Sequence, residues 1–231
     1  MLGTVVNVVA IIIGGTTGIL IKHGLKEKYK KTIMQGLGLT IILIGLMNAL
    51  EAENLLLVIL SVVIGSIVGE WIQIEKKLEK LGNHAQKHLG KSDSNFSEGF
   101  VTASLLYCVG ALAIVGSLNS GLTGDHTILF AKSILDGVTA VVFSSTLGIG
   151  VIFSSIPVLL YQGFITLTAS ALEPFLVDAV KYNMSSVGGL LIIGIAINIL
   201  DIKNIKVANM IPAIFIPLIY YMLTVLYNLI T

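Results

Sequence analysis

Gly3–Ile21 (GTVVNVVAIIIGGTTGILI) holds no charged residue, and Lys22-His-Gly-Leu-Lys-Glu-Lys-Tyr-Lys-Lys31 follows it at once. At about 1.5 Å of rise per residue, an uncharged helix of this length crosses a hydrocarbon core roughly 30 Å thick. The positive charges come after the run and none before it, the reverse of a cleavable signal peptide. The stretch therefore predicts a membrane-spanning first helix.

Seven further runs repeat the pattern: Ile33–Leu50, Leu55–Ile74, Phe100–Leu118, Ile128–Phe153, Pro157–Val177, Ser185–Leu200 and Val207–Leu229. They are sustained apolar runs without the alternation of a membrane β-barrel. Composition agrees, since 55% of the 231 residues are hydrophobic, 12% are charged and mean hydropathy is +0.95. A soluble domain carries about 25% charged residues. The expectation is an all-α polytopic membrane protein of about eight transmembrane helices in one integral membrane domain, 1–231.

Net charge is +1, which excludes a strongly acidic or basic binding protein and gives no footing for nucleic acid. Every basic residue is Lys, so no guanidinium is present to clamp a phosphate or carboxylate through two parallel bonds. The single cysteine, Cys108, excludes an internal disulfide framework and a cysteine-based zinc site.

The lysines are sorted by position. Five follow the first run (Lys22, Lys26, Lys28, Lys30, Lys31), five the third (Lys76, Lys77, Lys80, Lys87, Lys91) and two the seventh (Lys203, Lys206). With eight spans, these twelve of the 14 fall on one side. The positive-inside rule makes that side cytoplasmic and both termini extracytoplasmic in a bacterial inner membrane. The segment from Ile72 to His88 spaces Ile74, Leu78 and Leu81 helically among charges, and predicts an amphipathic helix reaching about residue 91. His84 and His88 there share a face without a nearby carboxylate and read more readily as solvated than as a metal pair.

Residues n and n+150 align without a gap over spans two and seven. Lys31 meets Lys181, Gly38 meets Gly188, Asn48 meets Asn198, Glu51 meets Asp201 and Asn54 meets Asn204. The same offset sets span one against six, with Thr16 opposite Thr166, and span three against eight. Five spans separate each pair, so the two members run oppositely across the bilayer. The expected organisation is a repeat half 1–75, a cytoplasmic helix and linker 76–98, central spans 99–153 and an inverted half 154–231. Such repeats are common in secondary transporters, with sites between the halves near the midplane; a duplication kept for packing is the other reading.

Ionisable side chains inside a membrane are costly, and they mark function by default. Asp136 lies about 12 Å inside the fifth span, with Lys132 one turn earlier on the same face. A functional charge and a structural ion pair explain these two equally. Thr16 and Thr17 in span one, Ser144, Ser145 and Thr146 in span five, and Gln162, Thr166 and Thr168 in span six add hydroxyls and an amide. Together they are expected to line a path between spans one, five and six; taken singly, each hydroxyl equally suits close helix packing. Glu70 beside Trp71 suits an interfacial anchor or a gate, and Asp125 with His126 an outer mouth or a helix cap. Asn48 and Asn198 suit C-capping of their helices.

No nucleophile elbow, zinc-protease pair or phosphate loop is present, and no enzyme activity, cofactor or metal is expected. The expected partners are the lipid bilayer, a small ion or polar solute, and further copies of the chain. The leading expectation is a transporter or channel. The other is a membrane scaffold or sensor binding a partner through the 72–91 helix.

Several motifs then resemble the YqgA/YdfK-like family of bacterial integral membrane proteins. They are Met1-Leu-Gly-Thr4 with Gly14-Gly15, Met34-Gln-Gly-Leu-Gly-Leu39, Gly69-Glu70-Trp71 and Glu98-Gly-Phe-Val-Thr-Ala-Ser104. Gly121-Leu-Thr-Gly-Asp-His126, Ala131-Lys-Ser-Ile-Leu-Asp-Gly137, Ser144-Ser-Thr-Leu-Gly-Ile-Gly150, Tyr161-Gln162-Gly163 and Lys206-Val-Ala-Asn209 extend the likeness. The resemblance implies a bacterial membrane location and brings no substrate or site residue with it.

Overall fold

Apolar runs this long have one way to satisfy their backbone inside lipid, which is to bond each N–H within its own helix. The computed structural model describes residues 1–22, 27–77, 80, 96–108 and 111–230, and among these there is no strand. The helices are α1 (Leu2–Lys22), α2 (Glu27–Ala49), α3 (Leu55–Ile72), α4 (Phe96–Cys108), α5 (Ala111–Leu122) and α6 (Thr127–Leu147). They continue as α7 (Gly150–Phe153), α8 (Ser155–Leu167), α9 (Ala169–Leu172), α10 (Asp178–Ile199), a 3-10 helix (Val207–Phe215) and α11 (Ile216–Ile230). Most of the expected cytoplasmic helix and linker 76–98, with His84 and His88, lies outside the described residues.

Seven segments are long and apolar enough to cross a membrane, and α4 with α5 forms an eighth candidate bent by 57°. That pair runs the length of its neighbour. Gly99 near its start packs against Leu147 at the end of α6, and Gly116 in α5 packs against Ile128 and Leu129 at the start of α6. Counted as one broken span, it brings the candidate crossings among the described residues from seven to eight.

The fifth and sixth spans are placed differently from the sequence reading. The run expected to continue to Phe153 stops at Leu147, because Gly148 adopts a φ of 83° that side chains disfavour and turns the chain. The next span then begins at Gly150, where a Cβ would collide with the Phe96 carbonyl, and ends at Leu167. Span eight also differs from its expected repeat counterpart. It opens as a 3-10 helix containing Pro212, where span three is α-helical throughout.

Two packing relations position the site. Asn7 bonds Asp136, and the Ser144 hydroxyl donates to the Gly15 carbonyl at 2.8 Å, so α1 and α6 run parallel. Glycine allows that approach, since a Cβ at Gly14 would enter the Gly137 carbonyl. Helices α2 and α10 run antiparallel: the Ser186 hydroxyl donates to the Ala49 carbonyl, and Gly38 packs against Leu200 at the other end. The core is built on α10, with Val187, Leu191, Ile192 and Ala196 buried against Ile41, Val58 and Tyr107. The outer surface is apolar as well. Leu20, Leu50, Leu160 and Leu167 are exposed, the arrangement a lipid solvent selects.

Candidate functional site

Asp136 and Lys132 occupy successive turns of α6, and both are buried. The Lys132 Nζ donates to Asp136 Oδ1 at 2.9 Å and Oδ2 at 2.7 Å. Removing two charges from water costs several kcal/mol per ion, and a pair survives burial only when its geometry and its other lone pairs are satisfied. Asn7 on α1 supplies that support, donating from Nδ2 to Asp136 Oδ2 at 3.0 Å. The same nitrogen lies 3.3 Å from Gln162 Oε1 on α8. A charged pair on one helix is thus braced by amides from two others, all four side chains being nearly or wholly shielded from solvent. Asn7 Oδ1, Gln162 Nε2 and Thr166 Oγ1 are buried and have no hydrogen-bond partner among the described residues.

The hydroxyls separate into two groups. Ser144, Ser145 and Thr146 are buried but donate to backbone carbonyls near the end of α6, eight or more residues from Asp136. At about 1.5 Å per residue this places them roughly 12 Å deeper. Thr16, Thr17 and Thr168 face outward and bond the carbonyls one turn back on their own helices. Among the residues expected to line a path with Asp136, the structure gathers Lys132, Gln162 and Thr166 on its side of the bundle and leaves the others elsewhere.

The opening beside the pair is also elsewhere. The amide contacts close α1, α6 and α8 on one another, so the expected gap between spans one, five and six is filled. A cavity of about 440 Å³ lies on the opposite flank, between the end of α2, the α4–α5 pair and α6. Its polar lining is Asn48, Glu51, Tyr107, Lys132, Asp136 and Thr139. The ion pair therefore borders this cavity on one flank and the amides on the other, with each of its side chains under a tenth exposed.

The remaining charged candidates have structural partners. Glu70 accepts from Lys206 Nζ at 3.0 Å and Asn209 Nδ2 at 2.7 Å, and the Asn209 side-chain oxygen accepts from the Glu75 N–H at 2.8 Å. This latch ties the end of α3 to the start of span eight, and Glu70 holds the Lys206 ammonium above its ordinary range. Trp71 beside it projects outward, 85% exposed. Asp125 accepts from the Thr127 hydroxyl at 2.7 Å and the Thr127 N–H at 2.9 Å, which ties the preceding turn to the first residue of α6. Those two bonds hold its carboxyl below the usual carboxylate range. His126 Nδ1 is 2.9 Å from the Ser120 hydroxyl. Asn198 does not cap its own helix; it bonds both backbone groups of Ile205 and folds the following turn. Among the described residues, no group of three or more His, Cys, Asp or Glu side chains converges to hold a metal.

Sequence reasoning passed over Asn7. The signal was present, an amide inside the run Val5-Val6-Asn7-Val8-Val9, but its partner is 129 residues away.

These features define an all-helical, polytopic membrane protein with a braced ion pair at its centre. The chain belongs to the family described as a protein of unknown function (DUF554), whose model matches residues 2–222. It is 35% identical over 222 residues to the uncharacterized membrane protein YdfK of Bacillus subtilis strain 168, covering 94% of each chain. It is 32% identical over 223 residues to the uncharacterized protein YqgA of Escherichia coli K12, again covering 94% of each. No solved structure matches the chain.

Proposed function

We propose that this protein is a transporter or channel for a small ion or polar solute in the bacterial cytoplasmic membrane, and that its path passes the Lys132–Asp136 pair. One observation carries the reading. A charged pair at membrane depth, braced by Asn7 and Gln162, opens onto a cavity of about 440 Å³. A pair kept only for packing gains nothing from an open flank, whereas a site for a passing solute requires one. The orientation that suits this reading places the lysine-rich segments in the cytoplasm and both termini outside. The apolar exterior suits lipid and further copies of the chain.

The test is flux in liposomes loaded with purified protein. Asp136→Asn keeps the side chain's size and removes its charge, and is expected to abolish flux or its pH dependence while the protein still inserts. Asp136→Glu is expected to retain part of the activity. Undiminished flux in a double Asp136→Asn, Lys132→Met variant would reject the site.

A further inference from the structure

A second cavity, of about 480 Å³, is lined by Glu75, Glu98, Thr102, Asn198, Asp201 and Lys203. It is built like the first. The cavity beside Asp136 takes Asn48 and Glu51 from the C-terminal end of α2, and this one takes Asn198 and Asp201 from the C-terminal end of α10. Those are two of the residue pairs that the 150-residue offset brings together. Because α2 and α10 are antiparallel, their C-terminal ends, and so the two cavities, are displaced in opposite directions along the helix axes.

Both cavities also reach the same helix. Val101 and Thr102 of α4 line one, and Leu106 and Tyr107 line the other. From Thr102 to Leu106 the helix rises only about 6 Å, against a hydrocarbon core of roughly 30 Å. Ala103 and Leu105, between them, are buried.

Charge gives the two cavities a common sign. Glu51 and Asp136 face Lys132 in the first, and Glu75, Glu98 and Asp201 face Lys203 in the second, so carboxylates outnumber ammonium groups in both. One oxygen of Glu51 is buried and has no hydrogen-bond partner among the described residues. With Lys132 paired to Asp136, Glu51 carries the net charge of the first cavity, and an excess of one sign between low-dielectric walls concentrates the opposite ion. A divalent ion needs several oxygen ligands converging on one point, and among the described residues no three His, Cys, Asp or Glu side chains converge in that way.

We infer that the two cavities are the opposite mouths of one path for monovalent cations, related by the inverted repeat and separated by the α4 septum Ala103–Leu105. The inference rests on the transport reading and names its substrate class.

Sided cysteine labelling tests it. Val101→Cys and Leu106→Cys, each in a Cys108→Ser background, are exposed in right-side-out and inverted vesicles to cationic trimethylammonium-ethyl and anionic sulfonatoethyl methanethiosulfonates. Leu106→Cys should react only from the side bearing Glu51, and Val101→Cys only from the side bearing Asp201. After correction for each reagent's rate with a free thiol, the cationic reagent should react about tenfold faster or more. Glu51→Gln should shrink that preference at Leu106→Cys. Thr139→Cys, on the same cavity, serves if Leu106→Cys does not fold.

Labelling of both positions from one side, labelling of neither, or equal rates for the two reagents would overturn the inference. Rubidium uptake by liposomes is read in parallel. Uptake with one-sided labelling sinks this inference alone, whereas sided labelling without uptake of any ion sinks the transport reading and the path with it.

Discussion

Removing one charge of the Lys132–Asp136 pair should cost far more than removing both. The two side chains are 6% and 8% exposed and meet at 2.7 Å, so either single change leaves a charge orphaned away from water. Breaking a buried pair in this way costs about 3–5 kcal/mol. Asp136→Asn is therefore expected to destabilise by about 3–5 kcal/mol. Lys132→Met should be the milder of the two, because Asp136 keeps the Asn7 donor at 3.0 Å. The double variant replaces the pair with neutral groups of similar size, and its expected cost is about 1 kcal/mol or less. Equilibrium unfolding in mixed detergent micelles, followed by circular dichroism, closes the cycle. Single effects that simply add, or a double variant as unstable as the worse single, would refute the claim that the pair is a buried, mutually compensating unit.

Five further outcomes are expected. Asn7→Leu strips Gln162 Oε1 of its donor and Asp136 Oδ2 of one of two donors, so unfolding in micelles should show a loss of about 1–3 kcal/mol. Gly69→Ala drives a Cβ into the Asn209 carbonyl and should destabilise by about 1–3 kcal/mol. Gly36→Ala, with open space around it inside α2, should instead stabilise by up to about 1 kcal/mol, and thermal denaturation separates the two. Asp125 is lowered by its Thr127 bonds, so its contribution is complete above about pH 4 and fades as pH falls through the lower folded value. Asp125→Ala should accordingly lower the melting temperature near neutrality, and the gap from the parent should close in acid. Single cysteines in 23–31, 83–95 and 202–206 should resist an impermeant maleimide in intact cells, while those in 119–125 and 178–182 should react; labelling in 83–95 would reverse the proposed orientation.

What could be read along the chain was whatever depends on neighbours in sequence. The seven or eight candidate crossings follow from apolar length, because a bilayer of set thickness demands about twenty uncharged residues whatever surrounds them. Their ends were less legible: the fifth run was expected to continue to Phe153, and Gly148, free to adopt a backbone that other residues resist, ends it at Leu147. Asp136 and Lys132 were legible as a pair because four residues bring side chains onto one helix face. Their surroundings were not.

Which helix faces which is settled by packing between distant segments, and no local pattern encodes it. Asn7 reached Asp136 across 129 residues only because glycines let α1 approach α6 closely enough for a short amide to bridge them. Helical phase turned Thr16 and Thr17 away from the centre, where composition alone gave them the same standing as Gln162. The cavity opened on the flank facing α2 because the amides of Asn7 and Gln162 occupied the other. Length and hydropathy decide that this chain enters a membrane, since each helix meets lipid on its own. The site is decided by the tertiary structure, because a buried charge is stable only where other helices bring it partners.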